Sequence, residues 1–152
     1  MKIQILKNSQ IPQLIKMIRQ TCRKSFKLFY PKEWIATTIS RQTTKRIREK
    51  AKTMHFYVAV HNNQILGCAA IGQTSADTSG IYSFFIKTEY QGNGIGTKLL
   101  KALQKDEFWL NAQRIEVSSS LNAIPFYVKN GFTHKNGKVL VEYGSVYLEK
   151  FV

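Results

Sequence analysis

Three glycines stand within five residues in the segment Tyr90–Lys98, which reads YQGNGIGTK. Glycine lets the backbone turn sharply and bring its amides close to a ligand. The apolar residues that follow recur at helical spacing, so a helix is predicted to begin directly after this loop. A helix N-terminus presents free N–H groups and the positive end of the helix dipole. The segment therefore predicts an anion site, and phosphate is the anion that suits it best.

The loop differs from two common phosphate-binding loops. The dinucleotide pattern GxGxxG/A would need Gly or Ala at position 97, where Thr97 stands. The pattern GxxxxGK[ST] fails because Gly96 is followed by Thr97 and Lys98 in the wrong order. What remains is Q-x-x-G-x-G from Gln91 to Gly96. On this loop alone, a glycine-rich turn that binds no ligand stays open, because short glycine motifs often match by chance.

A second candidate segment, Ser118–Phe132, contains two adjacent aromatic residues. Asn122 precedes the pair Phe126-Tyr127, and Gly131, a natural C-terminal cap, ends the short predicted helix. A tyrosine placed beside a leaving group can donate a proton to it. Taken by itself, Tyr127 is also typical of an aromatic residue that packs on a core.

The two segments stand in a defined order, with one predicted helix and one predicted strand between them. In this order the glycine loop and the Asn-Ala, Phe-Tyr and Gly-Phe pairs resemble the GCN5-related N-acetyltransferases (GNAT superfamily), which bind acetyl-coenzyme A (acetyl-CoA). The resemblance covers roughly residues 56–150, and the first 55 residues match only in the order of their helices. It implies an acetyl-CoA-dependent N-acetyltransferase whose acceptor is a primary amine of a small molecule or a protein.

The resemblance also implies how acetyl-CoA would be held. A wedge in the sheet would leave backbone groups of Phe85 and Ile86 unpaired, and these could bind the amide-rich pantetheine arm as an added strand would. Amides of the glycine loop would hold the pyrophosphate. No metal is expected. The residues expected to bind the cofactor are Phe85, Ile86, Gln91, Gly92, Asn93, Gly94, Ile95, Gly96, Thr97, Asn122 and Phe126.

For catalysis, the resemblance implies direct transfer of the acetyl group from thioester to amine. The N–H of Ile86 would stabilise the oxyanion, and Tyr127 would donate to the departing thiolate. The base is less well defined, because the strand Tyr82–Ile86 carries no Glu. Glu116 on the next strand is the acidic candidate. It could equally pair with a Lys or Arg, and Tyr82 could instead order a chain of water molecules.

The acceptor pocket is expected to involve aromatic side chains. Core packing is the alternative for those in the first helices. The residues expected to contact the acceptor are Tyr30, Trp34, Tyr82 and Phe84.

The hydrophobic pattern along the rest of the sequence predicts the strands and helices that would position these residues. Strand–helix–strand connections in the second half imply parallel pairing, whereas the hairpins in the middle are antiparallel. Residues 1–152 are expected to form a single N-acetyltransferase domain of the α/β class, with a mixed central sheet and helices on both faces. Ser9 is expected to cap the first helix, and Gln73–Gly80 to be a polar loop. The predicted strands lie around residues 3–5, 56–60, 65–71, 81–86, 115–117, 139–141 and 146–148, and the predicted helices at 11–22, 31–39, 43–52, 95–103 and 122–129.

The composition narrows the class of protein. With 43% hydrophobic and 12% aromatic residues, the chain is expected to be globular. No apolar run approaches the roughly 18 residues that cross a bilayer, so no membrane association is expected. Cys22 and Cys68 lie in apolar contexts without a CxxC pair. Neither a disulfide framework nor a zinc site is therefore expected, and the cytoplasm is the expected compartment.

The net charge of +14 is distributed unevenly. Residues 16–52 contain twelve Lys or Arg and two Glu, which gives this segment +10. Such a segment attracts anions. It indicates a solvated basic face, an acidic acceptor substrate, or an RNA or membrane surface. The alternative function is therefore a basic RNA- or ribosome-binding module built on an acetyltransferase-like scaffold.

Overall fold

The structure is a computed structural model that describes residues 1–152. The strands are β1 (Lys2–Ile5), β2 (Met54–His61), β3 (Gln64–Gln73), β4 (Thr78–Ile86), β5 (Arg114–Ser120), β6 (Thr133–His134), β7 (Val141–Glu142) and β8 (Ser145–Phe151). The helices are α1 (Ile11–Ser25), α2 (Lys32–Ser40), α3 (Thr44–Ala51), α4 (Ile95–Gln104), α5 (Glu107–Leu110) and α6 (Ile124–Lys129).

All eight strands form one sheet in the order β1-β2-β3-β4-β5-β8-β6, and β7 pairs with β8. The β4–β5 pair is parallel and the other pairs are antiparallel. The predicted mixed sheet is thereby confirmed. The expected polar loop Gln73–Gly80 is shorter, because β4 already begins at Thr78, which pairs with Arg114 on β5. Pairing with a distant strand has overridden the polar composition of this segment.

Apolar cores lie on both faces of the sheet. On one face, α4 packs through Leu99 and Leu103 against β2 and β3. On the other face, α1 packs through Leu14 and Ile18, whose spacing is helical. Helix α1 begins at Ile11 after a short 3-10 turn that contains Ser9, so the expectation that Ser9 caps this helix is wrong. No helix is both long and apolar enough to span a bilayer.

The sheet opens between its two central strands. β4 pairs with β5 only over Thr78–Ile81, although β5 continues along β8 as far as Ser120. Ser83 has φ +49, and the register of β4 on β3 shifts near it, which marks a β-bulge. Beyond this bulge the two strands diverge and leave a wedge between them.

Candidate active site

The glycine loop lies at the end of the wedge and leads directly into α4. Gly92 and Gly94 have φ of +80 and +82, in the left-handed region that glycine adopts without a steric penalty. A Cβ placed on either residue would meet no atom within 4 Å. Gly96 differs, because a Cβ there would lie 3.1 Å from the ring of Phe126. Two glycines therefore shape an open cradle, and the third lets α6 approach the start of α4.

The amides of this loop are free within the chain. The first hydrogen bond of α4 runs from the N–H of Lys98 to the carbonyl oxygen of Gly94 at 3.1 Å. None of the six N–H groups from Gly92 to Thr97 donates to an acceptor in the protein. Together with the positive end of the α4 dipole, they form a site suited to an anion.

Two polar side chains of the loop hold its shape. The side-chain amide of Gln91 donates to Ser25 Oγ at 3.0 Å and to the carbonyl oxygen of Ile86 at 2.9 Å. The backbone N–H of Gln91 bonds to Thr88, and the side chain of Asn93 bonds to the carbonyls of Tyr90 and Gln91. The donors of Gln91 are therefore engaged within the protein. This corrects the expectation that Gln91 offers a free amide to the cofactor.

The hydrogen-bond ladder of β4 decides which backbone groups face the wedge. The N–H of Lys87 donates to the carbonyl oxygen of Leu66 on β3 at 2.8 Å, and Phe85 is the partner of Cys68. Hydrogen-bonded and non-bonded pairs alternate along an antiparallel ladder. Phe85 therefore turns both backbone groups towards β3, and Ile86 turns its groups towards the wedge. The expectation that Phe85 has unpaired backbone groups is corrected.

Asn122 and Tyr127 present polar atoms without partners at the other side of the wedge. Asn122 Oδ1 is buried and has no hydrogen-bond partner in the protein. Tyr127 is 4% exposed, and burial alone raises the pKa of its phenol. No hydrogen bond of the chain engages its hydroxyl, although Tyr127 lines the cleft. An orphaned buried polar atom costs roughly 1–3 kcal/mol, so Asn122 Oδ1 is suited to a ligand donor. The Tyr127 hydroxyl is free to contact a ligand because Tyr127 lines the same cleft.

Aromatic residues hold Tyr127 in place. Its ring meets those of Phe84, Phe126 and Phe132 at centroid distances of 6.1, 5.3 and 5.5 Å, all close to edge-on. Such pairs add about 0.5–1.5 kcal/mol each beyond burial. Phe84 and Phe126 line the cleft beside Tyr127, so the phenol has a fixed direction there.

Tyr30 and Trp34 differ from the expectation that both contact the acceptor. Their rings stack at 3.6 Å. The Tyr30 hydroxyl donates to the carbonyl of Gly144 at 2.6 Å and accepts from the N–H of Leu121 at 2.8 Å. Tyr30 is buried and does not line the cleft, so it is corrected to a structural residue. Trp34 lines the cleft, and its indole N–H donates to the carbonyl of Tyr143 at 3.0 Å.

Glu116 does not line the cleft. Its carboxylate pairs with Arg114 Nη2 at 2.8 Å and Lys135 Nζ at 3.0 Å. Of the two roles expected for Glu116, these contacts support the ion-pair partner, and the expectation that Glu116 is the base is corrected. Tyr82 does line the cleft, and burial together with the charge of Glu116 raises the pKa of its phenol. Tyr82 is therefore neutral at physiological pH and cannot itself act as a strong base.

The glycine loop, Asn122, Tyr127 and Tyr82 border one continuous cleft of about 1220 Å³. Single small-ligand sites usually occupy about 300–1,000 Å³, so the cleft has room for two substrates. The glycine loop, Ile86 and Asn122 line one half, and Tyr82 and Trp34 line the other. The sheet opening joins the two halves.

The family model described as an acetyltransferase (GNAT) domain matches residues 14–149, which is most of the chain. The chain belongs to the GNAT acetyltransferases. Among curated proteins, no sequence matches it.

Solved structures agree with this GNAT acetyltransferase in fold. PaiA N-acetyltransferase from Thermoplasma acidophilum, in complex with coenzyme A, aligns over 100% of both chains with a TM-score of 0.83 and 20% identity. A GNAT-family acetyltransferase from Staphylococcus aureus Mu50 covers 99% of this chain and 98% of its own, with a TM-score of 0.76 and 17% identity. An aminoglycoside 6'-N-acetyltransferase complexed with coenzyme A covers 99% and 97%, with a TM-score of 0.74 and 15% identity.

The GNAT acetyltransferase also has cleft residues that sequence reasoning did not single out. Arg41, Arg46 and Lys50 line the cleft, together with Glu33 and Glu142. The +10 charge of residues 16–52 was the available signal, but it did not distinguish cleft cations from solvated ones. Binding of RNA through this segment stays a prediction.

Proposed function

We propose that this GNAT acetyltransferase binds acetyl-CoA along β4 and the glycine loop and transfers the acetyl group directly to a primary amine. The observation that carries the proposal is the row of six unengaged amides from Gly92 to Thr97. Hydrogen bonds to a charged group contribute about 1.5–3 kcal/mol each. A few of them account for the roughly 8 kcal/mol of micromolar binding.

The pantetheine arm fits the groups between the loop and the sheet opening. Its amides can pair with the wedge-facing backbone of Ile86, as a short added strand would. The buried Oδ1 of Asn122 is an acceptor that a pantetheine N–H can satisfy. Both contacts would place the thioester near Tyr127, where the opening is lined by Phe84 and Phe126.

Three groups would then share the chemistry. The N–H of Ile86 is positioned to stabilise the oxyanion that forms as the amine adds to the thioester carbon. As the carbon–sulfur bond breaks, the Tyr127 hydroxyl donates a proton to the sulfur, and the proton that the nitrogen loses as the amide forms returns to Tyr127 through water. The proton lost by the acceptor ammonium leaves through water in the cleft, which the neutral Tyr82 hydroxyl helps to order. The overall reaction yields the acetamide, free coenzyme A and one proton.

The binding step is tested by thermal shift with two glycine variants. Acetyl-CoA should raise the Tm of the wild type by stabilising the folded state. Gly94→Ala introduces about 1–2 kcal/mol of left-handed strain and a methyl group in the cradle, so this shift should shrink. Gly137 is the matched control, because it has φ +68, has no atom within 4 Å of a built Cβ and lies outside the cleft.

Gly137→Ala should lose similar stability and retain the full ligand shift. Equal ligand shifts in the two variants, or none in the wild type, would contradict binding at the loop. The transfer step is tested by following thiol release from acetyl-CoA with a panel of primary amines. Release that does not depend on the amine would contradict transfer to an acceptor.

A further inference from the structure

The half of the cleft that Tyr82 and Trp34 line, where the acceptor would bind, has a cationic wall built largely by α3. Arg46 and Lys50 are four residues apart on this helix, and both line the cleft with Arg41. Like charges at this spacing destabilise a helix. Their charges act on one another, since burial first and then the Arg46 charge lower the pKa of Lys50. The protein therefore maintains an unfavourable pair beside the cleft.

No carboxylate of the chain neutralises this wall. None of the seven ion pairs in the protein includes Arg41, Arg46 or Lys50. Glu49, the acid nearest to them in sequence on α3, pairs with Lys52 at 3.1 Å instead. Lys50 is half-buried, and Arg41 and Arg46 are exposed where they border the cleft. Cations without a partner gain from a bound anion, because charge-assisted hydrogen bonds are stronger than neutral ones.

Lys50 also borders the cleft together with β4, the strand at which transfer is proposed. Ser83 of this strand lines the same cleft as Lys50. Ile86, the oxyanion donor of the proposed mechanism, is three residues further along β4. At about 3.3 Å per residue, the two points on the strand are about 10 Å apart.

We infer that the acceptor is a small amine which also carries a carboxylate or phosphate, held by Arg46 and Lys50 while the amine, several bonds away, reaches the thioester. This inference rests on the proposed acetyl transfer and names the substrate class of the same site. Glu33 and Glu142, the two carboxylates of the cleft, lie towards the β7–β8 side, which the Trp34–Tyr143 bond joins to α2. The side of the cleft that α3 lines therefore has an excess of positive charge.

The test compares acceptors that differ only in the anionic group. ε-Aminocaproate and its neutral amide have the same amine and chain length, and an aminopentyl phosphate supplies the phosphate arm. The wild type should have a kcat/KM at least about tenfold higher for the anionic acceptors than for the amide. The phosphate-to-carboxylate ratio then distinguishes the two sources of the anion.

Charge removal gives the second comparison. Arg46→Gln and Lys50→Gln should each lower kcat/KM for the preferred anionic acceptor by about 10- to 100-fold, mainly through KM. The neutral amide should change by less than about threefold. Arg48→Gln is the matched control, because Arg48 is exposed on the same helix and does not line the cleft. It should leave both acceptors unchanged.

Calorimetry measures the binding of the same acceptors to the coenzyme A-loaded protein. This measurement does not depend on turnover. Equal affinity for ε-aminocaproate and its amide overturns this inference, as does affinity that both glutamine substitutions leave unchanged. Absence of saturable binding by either anionic amine overturns it too. Failure of the proposed function is a different result, namely loss of the acetyl-CoA thermal shift and of amine-dependent thiol release with every acceptor.

Discussion

Replacing Tyr127 with Phe should separate stability from activity. The Tyr127 hydroxyl is the proposed proton donor to the thiolate, and a positioned general acid contributes about 10²–10⁴-fold to a rate. Water in the cleft can replace it in part, so we expect kcat to fall about 100-fold, equivalent to about 2.7 kcal/mol. No hydrogen bond within the protein engages this hydroxyl, which borders the cleft. Its removal therefore breaks no internal hydrogen bond, and Tm should stay close to that of the wild type.

The pH dependence of kcat/KM tests the same proton-donor role of Tyr127. Burial raises the pKa of Tyr127 above its ordinary value of 10.0. A proton donor stays active below its own pKa, so kcat/KM should have no falling limb between about pH 7 and 10. Over this range the rate should rise with pH, because the acceptor ammonium must lose a proton before it can attack.

The assay measures thiol release, acetyl-CoA affinity and Tm for wild type and variant. Tyr57→Phe is the matched control: the Tyr57 hydroxyl donates to the buried carboxylate of Asp106 at 2.6 Å, and Tyr57 does not line the cleft. That control should lose about 1–3 kcal/mol of stability and retain kcat. The role given to Tyr127 is refuted if Tyr127→Phe keeps kcat within about threefold or loses stability as Tyr57→Phe does.

Three further substitutions test the site. Glu116→Gln should leave kcat/KM and its pH profile unchanged, as measured by thiol release, because this carboxylate is engaged by Arg114 and Lys135. At Ser83, with φ +49, Gly should stabilise the protein or leave it unchanged, whereas Val should cost at least about 1–2 kcal/mol in denaturant unfolding. Tyr30→Phe should cost about 2–3 kcal/mol and raise the acceptor KM with little change in acetyl-CoA affinity, because two part-buried hydrogen bonds, to Gly144 before β8 and to Leu121 after β5, are lost.

Each of these three predictions has a specific result that would contradict it. A rate loss in Glu116→Gln that disappears at high pH would restore the base role to this residue. Equal stability of the Gly and Val variants at position 83 would mean that the bulge is not strained. A Tyr30→Phe variant with unchanged stability would show that the Tyr30 hydroxyl is dispensable for holding the α1–α2 connection against Gly144 and Leu121.

The sequence predicted features that depend on residues close together in the chain. Gly92 and Gly94 were identifiable because left-handed backbone favours glycine, and both adopt it. The helical spacing of Leu14 and Ile18 likewise predicted the buried face of α1. In these cases the local pattern and the tertiary structure agree, so a prediction from either gives the same result.

Features that depend on distant partners were beyond the sequence. Tyr30 is structural because its hydroxyl bonds to Gly144, 114 residues away. Glu116 is an ion-pair partner because Lys135 reaches it from beyond α6. The different roles of Phe85, which pairs with β3, and Ile86, which faces the wedge, depend on the register of β4 against β3, which the bulge shifts. None of these contacts leaves a periodic signal in the chain.

The bulge at Ser83 links the fold to the chemistry. Tyr82 and Phe85 pack on the same face of the sheet although they are three residues apart, because the bulge contributes an extra residue to β4. The same distortion turns β4 away from β5 after Ile81, so that an edge opens inside a continuous sheet. Such an edge presents unpaired backbone groups, which proteins normally cover. Here an extended amide-bearing ligand can cover it, and a backbone strain of about 1–3 kcal/mol is the local cost of the binding site.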